Sequence, residues 1–480
     1  MTLIDLLKGI EVRSGETDAQ LEIKGIAYDS RKVKEGFVFV CIKGFVTDGH
    51  KYIKNAVENG ASAIIAEDDC DACGALLIKT ENTRKALAVM ASNFYGNPKD
   101  KMKIIGVTGT NGKTTTTTLL KHVLDFMGKK TGLIGTNANM IGETVLDAER
   151  TTPESLELHE LFAEMVKNDV EYVIMEVSSH SLDLYRVFGI EFEVGIFTNL
   201  TQDHLDFHKT MDNYLAAKTK LFEVSKIGVI NADDEYGKKI ISSLSKKAVT
   251  YAIDNEADFR AEAIKVSPKG VMFDVCSENG KQSLRLGIPG KFSVYNALSV
   301  YAALSSLSVK ESTISEALIV ARGVKGRAET VYTLTDYTVL IDYAHTPDGL
   351  ENIISTVKEF TEGRVITLFG CGGDRDSSKR SIMGEIAGRL SDYCIITSDN
   401  PRTEDPMSII LQIEEGMKKT DCEYKIIENR KEAIGYALSF AKNSDSIILA
   451  GKGHETYQIL GKEKIHFDER EVVQEFLNLK

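Results

Sequence analysis

Residues 103–118, KIIGVTGTNGKTTTTT, concentrate more reactive chemistry than any other stretch of the chain. Gly109 and Gly112 mark a tight turn where the backbone must bend or come close to a ligand. Lys113 supplies a point charge and Thr114 a hydroxyl, while backbone N–H groups at a helix start face an anion. A nucleoside triphosphate with Mg²⁺ is the ligand that asks for this set. The general phosphate-loop pattern has Gly five residues before Gly112, where this chain has Val107. For Gly-Lys-Thr alone, a chance junction of strand, glycine and helix is the plain alternative. The full string GTNGKTT is far more specific.

Other clusters carry chemistry of their own. Glu176 ends an apolar run over 172–175 and precedes Val-Ser-Ser-His. A carboxylate at that position in a parallel sheet lies where ligands bind, and Mg²⁺ takes few protein carboxylates. Asp203, His204, Asp206 and His208 have a spacing that could serve zinc, though no third ligand is evident nearby, or could be a polar helix start. Lys218 lies in a helical pattern, where a lysine is ordinarily a solvated surface charge. Thr151 and Thr152 precede Pro153, and Thr152 is expected as N-cap with Pro153 at the first helical position. Asn296 reads as another routine cap. Three polar strings follow three successive apolar runs: GCGGDRD at 370–376, DNPR at 399–402 and GKGHE at 451–455.

The elements that must position these residues alternate. A strand over 104–107 feeds the glycine turn, and an apolar-periodic helix through Leu119, Leu120, Val123, Leu124 and Met127 stops at Gly128. Later runs at 339–341, 365–369, 382–390, 393–397, 407–418, 433–442 and 446–450 alternate strand and helix, which argues for a parallel sheet covered by helices with ligands at the strand C-termini. The first ~98 residues read as a small α/β unit, with a strand at 37–41 and a helix at 53–58; Asn97-Pro98 marks its end.

At 480 residues the chain is long enough for about three domains. Hydrophobic residues make up 42% and charged residues 27%, the balance of a globular protein. A net charge of −13 argues against a nucleic-acid or membrane-surface partner. No run reaches the ~18 apolar residues of a membrane span, and MTLIDLLKGI lacks the features of a signal peptide. The seven cysteines are scattered; Cys70 and Cys73 form a CxxC with no second pair at zinc spacing, so free thiols in the cytoplasm are expected.

The string GTNGKTT, the order DSR, KG, DGH, GA in the first hundred residues, AKxxLF around Lys218, PGKFSVYNAL at 289–298 and DNPR together resemble the Mur ligases, the ATP-dependent amide-forming enzymes of cell-wall precursor synthesis. The resemblance covers the whole chain. It implies three α/β domains: 1–98 binding the UDP part of the substrate, 99–325 forming a central P-loop ATPase sheet, and 326–480 forming a Rossmann-like amino-acid domain. It implies ATP at Gly109, Thr110, Asn111, Gly112, Lys113, Thr114, Thr115, Asn296, Arg327 and Asp342, with Arg327 reaching the γ-phosphate. It implies Mg²⁺ at Thr114, Glu176, His204 and a carbamylated Lys218, and catalytic roles for Lys113, His204, Lys218 and Arg327. UDP-N-acetylmuramoyl-L-Ala-D-Glu would meet Ser30, Thr151, Thr152, Ser178 and Arg186. The family's pattern is departed from at Phe37, Leu184 and Ser293.

Within the family, DNPR marks ligases that add meso-2,6-diaminopimelate, which would meet Arg375, Asp399, Asn400, Pro401, Arg402, Gly451 and Glu455. The chemistry agrees: diaminopimelate carries a second carboxylate for the two arginines, whereas the side-chain ammonium of lysine would clash with Arg402. The expected product forms through an acyl phosphate, and the expected state is a monomer. A lysine-adding ligase, a folylpolyglutamate synthetase-like ligase and an ATP-dependent regulatory protein are the alternatives.

Overall fold

The computed structural model describes residues 1–15, 20–45, 47–321 and 323–478; the side chain of Asp206 lies outside the described set. Three large sheets succeed one another along the chain, and a two-stranded hairpin of Tyr457–Leu460 with Glu463–His466 follows the last of them. In the first, strands Gly25–Ala27, Phe37–Val40, Ala61–Ala66 and Leu76–Thr80 run parallel, with Val12–Ser14 antiparallel at one edge. Asp29 accepts from Arg31 N and so folds Ser30–Lys32 into a single 3₁₀ turn before the second of these strands.

The second sheet is built around Lys103–Thr108, which lies between Tyr172–Glu176 and Phe192–Phe197 and is parallel to both. Its strands read as near-continuous apolar runs because both faces are covered, as a parallel interior requires. Gly106 leaves no room for a side chain: a Cβ there would meet the Phe192 ring at 2.8 Å. Helices Lys113–Phe126 and Lys291–Ser306 bury Leu119, Leu120, Val123, Leu298 and Tyr301 against one face. Helices Ser155–Lys167 and Met211–Glu223 bury Leu158, Phe162, Met165 and Phe222 against the other. Each such side chain contributes about 2 kcal/mol of apolar burial.

This sheet has eleven strands and is parallel only in its middle. Asn139–Ile141 and Thr144–Leu146 form a hairpin at one edge. At the other, Phe259–Ser267, Gly270–Ser277 and Gly280–Leu286 form an antiparallel meander, an extension beyond the parallel sheet expected from the strand–helix alternation. From Glu262 to Ser267 the residues are half-buried and exposed by turns, as one wetted face demands.

The third sheet has Thr338–Asp342, Ser446–Ala450, Val365–Phe369, Tyr393–Ile396 and Glu423–Ile426 in parallel, with Glu329–Val331 antiparallel at the edge. The carboxyl ends of these strands lie side by side, which gathers Asp342, Gly370, Asp399 and Gly451 at one rim. Helices Lys379–Leu390 and Pro406–Met417 cross closely there: a Cβ on Gly384 would meet Ile413 O at 2.1 Å, and one on Gly416 would meet Ser381 O at 1.8 Å.

Candidate active site

The turn after Lys103–Thr108 requires both its glycines. Gly109 has φ +150° and Gly112 φ +86°; a Cβ on the first would lie 1.9 Å from Thr198 Oγ1, and on the second 2.5 Å from Asn296 Oδ1. The end of Phe192–Phe197 holds the turn in place. Thr110 N donates to Asn199 O at 2.9 Å, Asn111 N to Asn199 Oδ1 at 2.9 Å, and Thr198 Oγ1 to Asn111 O at 2.6 Å. The backbone is thus fixed before any anion arrives.

Two amines converge on the same loop. Lys113 Nζ donates to Gly109 O at 2.9 Å and Thr110 O at 2.8 Å, and Lys218 Nζ donates to Gly109 O at 2.8 Å. Lys218 is only 1% exposed and lies 4.5 Å from the centre of the Tyr214 ring. The surface-charge reading of Lys218 is therefore corrected: the helix Met211–Glu223 turns this lysine inward, while Lys220 faces out to pair with Asp183 at 2.7 Å. Burial, reinforced by the charge of Lys113 and opposed by Asp203, pushes the Lys218 amine well below the usual lysine range. Burial also lowers Lys113, against the pull of Glu176 and Asp203.

Glu176 is 1% exposed. Its carboxylate accepts from Thr136 N at 2.9 Å and from Thr136 Oγ1 at 3.0 Å, and Thr136 in turn pairs with the Thr151 hydroxyl at 2.9 Å. Thr152 is not a helix cap. Ser155–Lys167 starts after Glu154, and Thr152 Oγ1 instead donates to Glu176 O at 2.8 Å and accepts from Ser178 N at 3.1 Å. That tie between the Thr151–Thr152 turn and the end of Tyr172–Glu176 satisfies buried backbone groups that the cap reading left unassigned. Asn296 is likewise no cap: it lies within Lys291–Ser306, buried beside Gly112 and Thr116.

A cavity of about 730 Å³ joins these groups. All the residues from Gly109 to Thr115 line it, with Thr151, Glu176, Ser178, His204, Lys218, Asn296, Arg327 and Asp342. The oxygen donors Thr114 and Glu176 suit a hard cation such as Mg²⁺. The third body closes one wall. Arg327 Nη2 donates to Thr114 Oγ1 at 3.4 Å, and Asp348 Oδ2 accepts from Asn111 Nδ2 at 2.5 Å and from Thr201 Oγ1 at 2.9 Å. Burial raises the Asp342 carboxyl, against the Arg327 charge; its Oδ2 accepts from Ala328 N at 2.7 Å. His204 has φ +53° and sits 4.9 Å from the His180 ring, while His208 Nε2 meets Ser179 Oγ at 2.8 Å. Among the described residues the group with metal-ligand spacing is Asp48, His50 and Asp68, none of which lines the cavity. All seven cysteines are free.

The remaining expected site residues fall into three places. Ser30 is in the first body, its carbonyl accepting from Asn59 Nδ2 at 2.9 Å; nearby, Tyr28 OH donates to Glu157 at 2.7 Å and ties that body to Ser155–Lys167. Arg186 Nη1 donates to Thr152 O at 3.1 Å and its Nε pairs with Glu154 at 2.8 Å, adjoining the cavity from behind the threonines. Arg375, Asp399, Asn400, Pro401, Arg402, Gly451 and Glu455 gather at the carboxyl rim of the third sheet. Arg402 Nη1 donates to Gly373 O at 2.8 Å, and Arg402 and Arg375 both flank Gly372. Gly451, at φ +114°, leaves Asp399 Oδ2 room that a Cβ would take, at 2.7 Å. Asn400 Nδ2 donates to Glu455 Oε2 at 2.9 Å. Tyr343 connects the two rims, its ring 4.9 Å from the Arg327 guanidinium and 4.8 Å from the His454 ring.

Thr136, Asp348 and Lys452 escaped the sequence reading. Thr136 and Asp348 lie in ordinary turn and helix-start contexts, which look alike whether or not they face a site. Lys452 carried a signal, since it stands inside GKGHE between two singled-out residues.

Three family models match in succession: Mur ligase family, catalytic domain, over residues 22–95; Mur ligase middle domain, over 107–304; and Mur ligase, glutamate ligase domain, over 326–453. The UDP-N-acetylmuramoyl-L-alanyl-D-glutamate–2,6-diaminopimelate ligase of Clostridium botulinum is 51% identical over 484 residues, covering 99% of both chains. The ligase of that name from Clostridioides difficile is 48% identical over 482 residues, covering 100% of both. A solved structure of a ligase of the same name superposes with a TM-score of 0.72 at 29% identity, covering 100% of this chain and 99% of the other. A folylpolyglutamate synthase from Mycobacterium tuberculosis shares the fold at 16% identity and a TM-score of 0.64, over 77% of this chain and 92% of its own. With three successive models spanning most of its length, and a relative 51% identical over 99% of it, the chain belongs to the Mur ligase family.

Proposed function

We propose that the chain is an ATP-dependent ligase that joins meso-2,6-diaminopimelate to UDP-N-acetylmuramoyl-L-Ala-D-Glu in the synthesis of peptidoglycan precursors. The observation that supports it most is the convergence of the glycine loop, Glu176 and Lys218 with Arg327 from the third body on one cavity, beside a rim that bears Arg375, Arg402 and Glu455. ATP binds along the loop from Gly109 to Thr115, with Asn296 toward the base and Asp342 toward the ribose. It supplies the phosphoryl group that makes the D-glutamyl carboxylate electrophilic, since a free carboxylate resists attack at neutral pH. Lys113 and Arg327 offset the charge of the transferring phosphoryl.

The neutral amine of the incoming amino acid then attacks the acyl carbon to give a tetrahedral intermediate, which re-forms the carbonyl as it expels phosphate and loses the amine proton, leaving the amide. Ser30, Thr151, Thr152, Ser178 and Arg186 hold the UDP-muramoyl dipeptide; Arg375, Arg402, Asn400 and Glu455 hold diaminopimelate. Thr114, Glu176, His204 and Lys218 as a carbamate would hold Mg²⁺, which would neutralise phosphate charge. The lowered amine of Lys218 favours that modification, because carbamate formation consumes the neutral amine and CO₂ and releases a proton. Arg327 and Asp348 already reach across the cavity, and further closure of the third body would exclude water that hydrolyses the acyl phosphate. The domain limits at 98 and 325 belong to this reading, as do action as a monomer and cytoplasmic location.

The test follows one oxygen. With dipeptide substrate labelled with ¹⁸O in the D-glutamyl carboxylate, each turnover with ATP and diaminopimelate should deliver one ¹⁸O into phosphate and yield the tripeptide mass. Unlabelled phosphate accompanied by tripeptide would rule out the acyl-phosphate route. Nucleotide hydrolysis without tripeptide would rule out the ligase.

A further inference from the structure

Lys452 is a fully buried cation that the proposed reaction leaves without a role. It follows Ser446–Ala450 at the rim of the third sheet. Its Nζ donates to Glu455 Oε2 at 3.0 Å and to Asn400 Oδ1 at 3.2 Å. Asn400 donates its amide to the same Glu455 Oε2 and accepts from Ile459 N at 3.0 Å. One oxygen of Glu455 is therefore held from two sides. The other, Oε1, accepts a long hydrogen bond from the Tyr457 hydroxyl, at 3.4 Å. A buried ammonium is costly unless paired and hydrogen-bonded, so its presence at this spot needs a reason.

We propose that Lys452 is a positioning residue that sets which amino acid the rim accepts, by neutralising Glu455 and aiming its free oxygen. This rests on the ligase reading above. The charges at the rim then include the cations Arg375 and Arg402 and a compensated Lys452–Glu455 pair; the neighbouring acids are engaged, Glu404 with buried Arg380 and Asp374 with Thr403, and Asp399 sits beneath, 4.0 Å from buried Arg430, which is itself paired with Glu469. Such a surface suits a zwitterionic head. The carboxylate of the head meets an arginine, and its ammonium meets Glu455 Oε1. A lone ammonium gains little, because the acid it would seek is already paired and the remaining charges repel it. Without Lys452 the charge of Glu455 is no longer compensated and draws a lone ammonium in.

The experiment measures kcat and KM for ATP, dipeptide, meso-diaminopimelate and L-lysine in the parent enzyme, Lys452→Met, Lys452→Arg, Glu455→Gln and the Lys452→Met, Glu455→Gln double variant. Lys452→Met should raise KM for diaminopimelate about tenfold or more, the scale of losing a hydrogen bond to a charged group. KM for ATP and dipeptide should stay within about twofold, since those sites keep their contacts. The preference for diaminopimelate over lysine should fall by a similar factor, and Lys452→Arg should restore most of it. The double variant should lose no more than Glu455→Gln alone, because Lys452 acts through Glu455; this variant also keeps the test open if Lys452→Met fails to fold. An unchanged preference, losses that multiply in the double variant, or a fall in melting temperature with all KM values moving together would overturn the proposal. A parent enzyme that makes no tripeptide would instead overturn the ligase reading.

Discussion

At the scale of single residues, the same amino acid carries opposite meanings according to burial. Gly109 and Gly112 were legible because only glycine tolerates their backbone angles against Thr198 and Asn296. Lys218 was not legible from composition or helical position; only the resemblance of AKxxLF singled it out, and its 1% exposure then explains how an amine there can be neutral. Thr152 misled for a physical reason: a threonine before Pro-Glu-Ser has the pattern of a cap, but its hydroxyl finds a stronger use tying the turn to Glu176 O and Ser178 N. Replacing Lys218 with Ala should abolish tripeptide synthesis, and short carboxylates added to the assay should restore part of it. Turnover equal to the parent would remove Lys218 from the mechanism.

Among elements, strands and helices with strong periodicity were legible and their sharpest contacts were not. Val365–Phe369 and Ser446–Ala450 fall where their apolar runs lie. The meander through Phe259–Ser267 went unread because its two-residue alternation is broken by a bulge between Glu262 and Lys265. Nothing in the local pattern told that Gly384 and Gly416 let two helices touch backbone to backbone. Gly416→Ala should therefore lower stability by about 1–3 kcal/mol, the usual cost of overpacking, despite alanine's better helix propensity. Thermal denaturation would read this; a rise in melting temperature would contradict the packing. On Ser155–Lys167, His159 is 1% exposed against Phe162, and burial pushes its imidazole down to about 4 from 6.5. The unfolded chain takes up this proton first, so the contribution is whole above about pH 6.5 and is lost as pH falls through about 4. The loss amounts to about 3 kcal/mol at most. His159→Phe should flatten the stability profile in that window; an unaltered profile would show that other groups set it.

For the whole molecule, the three sheets and their order could be expected, but not the meeting of residues far apart in sequence. Arg327 reaches Thr114, and Asp348 reaches Asn111 and Thr201, only because the third body docks on the carboxyl rim of the second sheet. No local pattern encodes such contacts. Arg327→Ala should reduce kcat by about 10³-fold, the scale of an arginine that stabilises phosphoryl transfer. Binding of the UDP dipeptide, measured by calorimetry, should remain; equal loss of binding and turnover would mean the arginine only holds the bodies together.

The most direct measurement is tripeptide formation with phosphate release from ATP, Mg²⁺ and UDP-N-acetylmuramoyl-L-Ala-D-Glu, comparing meso-diaminopimelate with L-lysine. Turnover with diaminopimelate, and far less or none with lysine, is the predicted result. Preferred use of lysine would contradict the role assigned to Arg402 and its rim, and no tripeptide with either would contradict the function itself.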